Sequence, residues 1–227
     1  MPQKDVWERE YRNSQLVSKD SKPNADFVRF LKFLKKEQGL ELENLNLLDI
    51  GCGTGKNSNY FASLGNSATG LDISETAIKL AKTRADEEKA NANYLEHDIG
   101  SLYPLKDSSF DIAIDIMSSN SLDEAGRETY FTEVQRTLKP QGYLFVKALC
   151  KESDQNAKKL LKENPGKEKD TYIMPELGLI ERVWEREDFE ENYKKYFNIL
   201  TLEKKTNYTR INNRIYKRNF WICYLQK

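Results

Sequence analysis

Leu47-Leu48-Asp49-Ile50-Gly51-Cys52-Gly53-Thr54-Gly55 decides how this chain is read. An apolar run carrying one acidic residue, Asp49, passes directly into a turn with three glycines. Glycine lets the backbone pass close beneath a ligand, where a Cβ would collide with it. Asp72 stands 21 residues after Gly51, at the end of a second strand-like run, Ser67–Leu71. A carboxylate there can accept hydrogen bonds from both hydroxyls of a ribose, as in a nucleotide-type cofactor site on a doubly wound α/β sheet. The glycine spacing separates cofactor classes. A dinucleotide fingerprint is G-x-G-x-x-G, whereas here the pattern is G-x-G-x-G and Lys56 occupies the third dinucleotide position. Asp49 would repel a pyrophosphate and suits a ligand with a cationic ammonium.

Working outward, strands and helices alternate, which calls for right-handed crossovers and a parallel sheet. Residues 3–40 read as amphipathic helix broken at Ser21-Lys22-Pro23-Asn24 and Gly39, with Phe27, Phe30, Leu31 and Leu34 at helical spacing. Strands are expected at Leu45–Ile50, Ser67–Asp72, Asn93–His97, Phe110–Met117 and Tyr143–Leu149, the fourth apolar enough to be a buried parallel strand. Helices are expected at Asn57–Leu64, Glu75–Lys89 and Arg127–Leu138, with Ser74 as an N-cap. Lys139-Pro140-Gln141-Gly142 reads as a turn. After Cys150 the pattern changes: Lys151–Lys169 is polar and lysine-rich, a helix or a lid, and Asp188–Tyr196 one further helix. Phe197–Lys205 and Arg218–Gln226 alternate as two strands, joined by a turn near Asn212-Asn213 into a closing antiparallel hairpin.

Composition narrows the class. The chain has 227 residues, enough for one α/β domain, and 36 basic residues balance 36 acidic ones. Zero net charge argues against binding nucleic acid over the whole surface. Three dispersed cysteines, Cys52, Cys150 and Cys223, form no C-x-x-C pair, so neither a disulfide framework nor a zinc site is suggested, and a reduced setting fits. The polar start lacks a signal core and no run approaches the roughly 18 apolar residues of a membrane span. A cytoplasmic protein with no membrane partner is expected.

These motifs resemble those of class I S-adenosylmethionine-dependent methyltransferases, whose first motif is [D/E]-x-G-x-G-x-G. The resemblance covers roughly residues 45–149 by motif. It implies a Rossmann-like, seven-stranded, mostly parallel sheet with a C-terminal antiparallel hairpin, S-adenosylmethionine as cofactor, and a single domain over 1–227. Within it, 1–44 would be a helical cover, 45–149 the cofactor core, 150–196 the substrate or lid region and 197–227 the closing hairpin. By the family's pattern Asp49, Gly51, Gly53 and Gly55 hold the methionine end, with Cys52 and Asn57 beside them. Asp72 binds the ribose and Ile73 touches the adenine. Asp98 and Ile99 match the acidic–apolar pair that reads adenine. Asp115, Ile116 and Met117 lie where the fourth strand opens onto the sulfur. Leu138–Leu144 looks like the family's L-[K/R]-P-G-G-x-[L/F], with Gln141 in place of its first glycine. Trp7-Glu8-Arg9-Glu10-Tyr11 resembles the W-[D/E]-x-x-Y start of many small-molecule methyltransferases, although an aromatic pair four apart also suits plain helix packing.

No N-P-P-Y or D-P-P-Y follows the fourth strand, and no P-C dipeptide occurs, which disfavours adenine-amine and cytosine-C5 chemistry. Cys52 reads as a packing residue of the turn. Substrate-side candidates are Tyr11, Ser118, Ser119 and Tyr172, with Glu181 and Asn120 near them. The lone histidine, His97, is expected to face away from Asp98 by strand alternation, and no general base is assigned. Lys194–Arg218 holds eight basic residues against Glu203 alone. A solvated edge guarded by lysines is the plainer account, an RNA- or phosphate-facing patch the sharper one. The leading reading is in-line methyl transfer to a small molecule. RNA or protein methylation, or non-catalytic cofactor binding, are the alternatives, and a nicotinamide enzyme is disfavoured by Lys56 and Asp49.

Overall fold

The computed structural model describes residues 3–13, 22–175, 177–211 and 214–227. Strands β1 (Asn46–Ile50), β2 (Ser67–Asp72), β3 (Ala92–Glu96), β4 (Phe110–Ile116), β5 (Leu138–Leu149), β8 (Asn198–Ile211) and β9 (Arg214–Gln226) form one seven-stranded sheet in the order β3-β2-β1-β4-β5-β9-β8. The first five are parallel, and β9 enters antiparallel between β5 and β8. The strand order reverses beside β1, which opens a crevice at the carboxyl ends of β1 and β4.

Alternation along the strands sends side chains to both faces. Leu48, Ile50, Ala113, Leu144 and Val146 meet Tyr130, Phe131 and Val134 of α5 (Glu124–Thr137) and Phe189 and Tyr193 of α7 (Arg186–Lys194). On the other face Leu47, Ile112, Ile114 and Phe145 meet Phe27, Phe30, Leu31 and Leu34 of α2 (Ala25–Glu37), Phe61 of α3 (Lys56–Ser63) and Ala157 of α6 (Gln155–Glu163). The Phe30 ring stacks on Phe145 with centroids 5.4 Å apart, so the apolar stripe anticipated in the N-terminal region does cover the sheet. Helix α4 (Glu75–Glu88) is capped by Ser74, whose hydroxyl accepts from the Ala77 amide.

The structure adds to or departs from the sequence expectations in three places. Lys139–Gly142 is not a turn between elements but a break in the ladder inside β5, whose pairing with β4 jumps from Phe110–Leu138 to Ile112–Tyr143. Gln141 there takes φ +65°, the left-handed conformation that glycine adopts more easily. The stretch 151–169 contains α6, whose Ala157 is buried against the sheet, and the chain then makes an unanticipated second sheet. That sheet is a hairpin of β6 (Thr171–Met174) and β7 (Leu179–Arg182). The closing strands are also longer than expected, and the turn assigned to Asn212-Asn213 lies outside the described residues.

Helix α1 (Lys4–Arg12) is strapped across the sheet's crevice. The Glu8 carboxylate accepts from the Ser74 hydroxyl (2.6 Å), the Thr76 amide (3.1 Å) and the Thr76 hydroxyl, all at the start of α4, where an anion is favoured by the helix dipole. On its other side, the Gln3 amide nitrogen donates to the carbonyls of Ser121 (2.6 Å) and Ile180 (2.8 Å), while its oxygen accepts the Ile180 amide. Arg9 donates to the Leu177 carbonyl at 2.7 Å, and Val6 and Trp7 pack against Met174, Leu177 and Leu179. Burial raises the Glu8 pKa, but the bonds from Ser74 and Thr76 outweigh it and hold the carboxyl down at about 2. An ordinary glutamate titrates at about 4.3, so this contribution is complete above that pH and is lost as pH falls towards 2. Glu8→Gln should therefore loosen α1 at neutral pH. Hydrogen exchange is expected to show faster exchange at the amides of residues 7–12, with the sheet unaffected. Unchanged protection in that variant would contradict the strap.

Candidate active site

The turn after β1 is built by close approach. Gly51 has φ +72°, and a Cβ added to it would lie 2.1 Å from the Ser118 hydroxyl oxygen. Gly53 has φ +54°, and its added Cβ would lie 2.7 Å from the Tyr11 hydroxyl oxygen. The turn is thus pressed between the loop after β4 and the helix α1 above it. Asp72, at the end of β2, holds the turn from the side. Its Oδ2 accepts the Gly53 amide at 2.8 Å and its Oδ1 the Ser74 amide at 3.0 Å. The carboxyl is buried, and burial pushes its pKa up to about 6 despite those two donors.

These elements enclose a cavity of about 600 Å³, well within the range of small-molecule sites. Gly51, Asp72, Ile73, Asp98, Ile99, Met117, Ser118 and Tyr11 line it, as do Trp7 and Ile116. Ile73 and Ile99 supply apolar surface beside Asp72 and Asp98. Met117 takes φ +72° as β4 ends, a conformation uncommon for a side chain of its size. The Ser121 hydroxyl oxygen also belongs to the lining, buried and without a hydrogen-bond partner among the described residues.

Other predicted residues sit behind the wall. Asp49 accepts the Ser58 hydroxyl at 2.7 Å beneath the turn, and burial pushes its carboxyl up to about 7. Cys52 packs under Gly70, its thiol driven up by burial, and Gly55 packs on Tyr94 and Ala81. The Asn57 Oδ1 accepts the Asn24 amide at 2.8 Å and so clasps the start of α2. Fully buried Asp115 caps the loop after β4, its Oδ1 accepting the amides of Ser118 (2.9 Å) and Ser119 (3.3 Å). Ser119 is buried in that loop. His97 shares a 3.2 Å hydrogen bond with Ser101 and sets its ring edge-on to Tyr103, outside the cavity lining.

Two groups were missed from sequence. The first two turns of α5 contribute Ala125, Gly126 and Thr129 to the wall. The second group comes from the β6–β7 hairpin and β9: Met174, Arg218 and Phe220 line the cavity together with Leu149 and with Glu181, already a substrate-side candidate from sequence. Tyr172 stands directly opposite Glu181 across the hairpin. It lies behind the lining and donates its hydroxyl to Glu181 Oε2 at 2.6 Å while accepting from Arg218 at 2.8 Å. The signal for the hairpin was present as Pro175 and Gly178 between two short alternating runs.

A buried carboxylate beside a tight glycine turn, two isoleucines flanking it and a cavity of this size fit an adenosyl group with a cationic side chain. Residues 48–146 match the family described as a methyltransferase domain. An uncharacterized methyltransferase of Schizosaccharomyces pombe is 35% identical over 103 residues, 45% of this chain and 70% of the relative. A ubiquinone biosynthesis O-methyltransferase of Coxiella burnetii is 33% identical over 132 residues, 52% of this chain and 55% of the relative. The crystal structure of a SAM-dependent methyltransferase from Methanosarcina mazei aligns with a TM-score of 0.73 at 30% identity, covering 84% of this chain and 95% of that one. With the strand order and the glycine turn, these likenesses lead to one conclusion: the chain belongs to the class I S-adenosylmethionine-dependent methyltransferases.

Proposed function

We propose that this enzyme methylates a small-molecule acceptor held in the apolar end of its cavity. The observation that carries this reading is the enclosure of that end. Trp7, Leu149, Met174 and Phe220 wall it, and Gln3 and Arg9 fasten α1 to the hairpin beside it. The Coxiella burnetii relative, named for O-methylation in ubiquinone biosynthesis, supports an acceptor of this size. When bound, S-adenosylmethionine supplies a methyl group already activated by its sulfonium, transferred by in-line displacement. The chain's own contribution is to bind, orient and exclude water. Asp72 would accept the ribose hydroxyls, Ile73 and Ile99 would flank the adenine, and Asp98 would accept its exocyclic amine. Gly51, in the lining, would lie beside the methionine portion, while Gly53 lets Tyr11 close over the turn. Met117, Ser118 and Tyr11, which line the cavity beside the turn, would lie nearest the methyl group. Asp49 and Asp115 act from behind the wall, the first by its charge beneath the turn and the second by shaping the loop.

The basic C-terminal edge gives little support to a nucleic-acid acceptor. Lys194 pairs with Glu190, Lys204 with Glu152, Lys205 with buried Asp26, and Arg218 turns inward to Asp154 and Tyr172. No described helix is long and apolar enough to cross a membrane.

Incubating the protein with methyl-labelled S-adenosylmethionine and a cell extract should place the label in the metabolite fraction. Label in RNA or protein instead would overturn the small-molecule assignment. Asp72→Ala should weaken binding of S-adenosylhomocysteine by about 1.5–3 kcal/mol for each charge-assisted hydrogen bond removed, which calorimetry would read as a loss of at least roughly tenfold. The pH dependence has a definite sign. Burial disfavours the ionised Asp72 carboxyl in the free protein, and ribose hydroxyls that donate to it favour ionisation, so binding releases a proton. Affinity should be constant above about pH 7 and fall as pH drops through about 6. An affinity flat between pH 5 and 8 would count against the role given to Asp72.

A further inference from the structure

The end of the cavity away from the cofactor residues carries a polar cluster that positioning the cofactor does not require. Asp72 and Asp98 follow β2 and β3, on one side of the switch point, whereas Glu181, Arg218 and Phe220 come from the hairpin and β9 on the other. Glu181 is 7% exposed, Arg218 7% and Tyr172 fully buried. Charges held this deep are costly unless paired. Arg218 has its counter-ion in Asp154, 3.4 Å away and buried, and its guanidinium donates to the Tyr172 hydroxyl. Tyr172 passes its own proton to Glu181 Oε2 as a hydrogen bond. Arg218 lies between Asp154 and the Tyr172–Glu181 pair, one cation against two carboxylates, so the cluster as a whole keeps a net negative charge beside the cavity.

We infer that Glu181 binds the methyl acceptor, that this acceptor is a basic amine with an apolar body, and that Glu181 takes its proton. The inference rests on the methyl-transfer reading of the cavity. An amine enters as its ammonium, which pairs with Glu181, while Trp7, Met174 and Phe220 hold the apolar part. Transfer of one N–H proton to the Glu181 carboxylate frees the nitrogen lone pair. The nitrogen then forms a bond to the methyl carbon as the carbon–sulfur bond breaks, its electron pair leaving on sulfur. The product is a methylated ammonium and a neutral thioether, and the proton on Glu181 passes to solvent. Positive charge thus develops on nitrogen beside a carboxyl group. A hydroxyl acceptor deprotonated ahead of transfer would instead place an oxyanion in a cavity lined by Asp72, Asp98, Asp123 and Glu181. Tyr172 and Arg218 are positioning residues for Glu181.

The test titrates the protein, saturated with S-adenosylhomocysteine, with three sets of isosteric probes. Each set is an arylalkyl amine, the matching alcohol and the matching carboxylate, on phenyl, cyclohexyl and indolyl bodies. At least one amine should bind tenfold or more tightly than its alcohol and carboxylate partners. Glu181→Gln should lower that amine's affinity about tenfold and leave S-adenosylhomocysteine affinity within twofold. Tyr172→Phe, which keeps the ring but removes the donor that orients Glu181, should weaken that amine and leave its matching alcohol unchanged. Alcohols or carboxylates that match the amines in every set, or amine binding indifferent to Glu181→Gln, would overturn the inference. Failure of S-adenosylhomocysteine itself to bind would sink the methyl-transfer reading, whereas its binding without an amine preference sinks only the amine.

Discussion

The carboxylate of Asp72 joins the two pieces of backbone on which the site depends. One oxygen holds the Gly53 amide and the other the Ser74 amide, so the glycine turn after β1 and the first turn of α4 are fixed to the same group. Ser74 in turn donates to Glu8, which brings α1 over the turn and sets Tyr11 above Gly53. A side chain on Gly51 or Gly53 would force this stack apart. The cost of the arrangement is a carboxyl buried without a cation of its own, which is why its pKa stands near 6 rather than about 4. A cationic adenosyl ligand offering two hydroxyl donors relieves that cost.

The far end of the cavity is held by a different logic. The β6–β7 hairpin buries Tyr172, Met174, Leu177 and Leu179 and is fastened from outside: Gln3 bonds both to Ile180 and to the loop after β4, and Arg9 bonds to Leu177. Helix α1 with its N-cap is therefore fastened at two places, to the start of α4 through Glu8 and to the hairpin through Gln3 and Arg9. That nine-residue helix links the two.

The fold was legible because its signals are local. Glycine spacing, the acid after β2, the Ser74 cap and the stripe Phe27, Phe30, Leu31 and Leu34 each report a backbone geometry within a few residues. The parallel pairing follows from the alternation of strand and helix. What sequence did not show depends on contacts between distant segments. Arg218 reads as one of eight basic residues on an edge strand, and only the fold turns it inward to Asp154 and Tyr172. Asp115 sits at a position expected to face the ligand, yet the loop after β4 claims its oxygen through the Ser118 and Ser119 amides. Asn57 is similarly occupied by the Asn24 amide. Gln141 shows the converse, a side chain accepted where glycine was expected because the strand bulges there.

The central claim is that an adenosyl group lies across the turn after β1 with its ribose on Asp72. A crystal structure of the complex with S-adenosylhomocysteine tests it most directly. Both ribose hydroxyls should lie within hydrogen-bond distance of the Asp72 carboxylate and the purine between Ile73 and Ile99. A purine bound elsewhere in the cavity, with Asp72 touching only the Gly53 and Ser74 amides, would contradict the account.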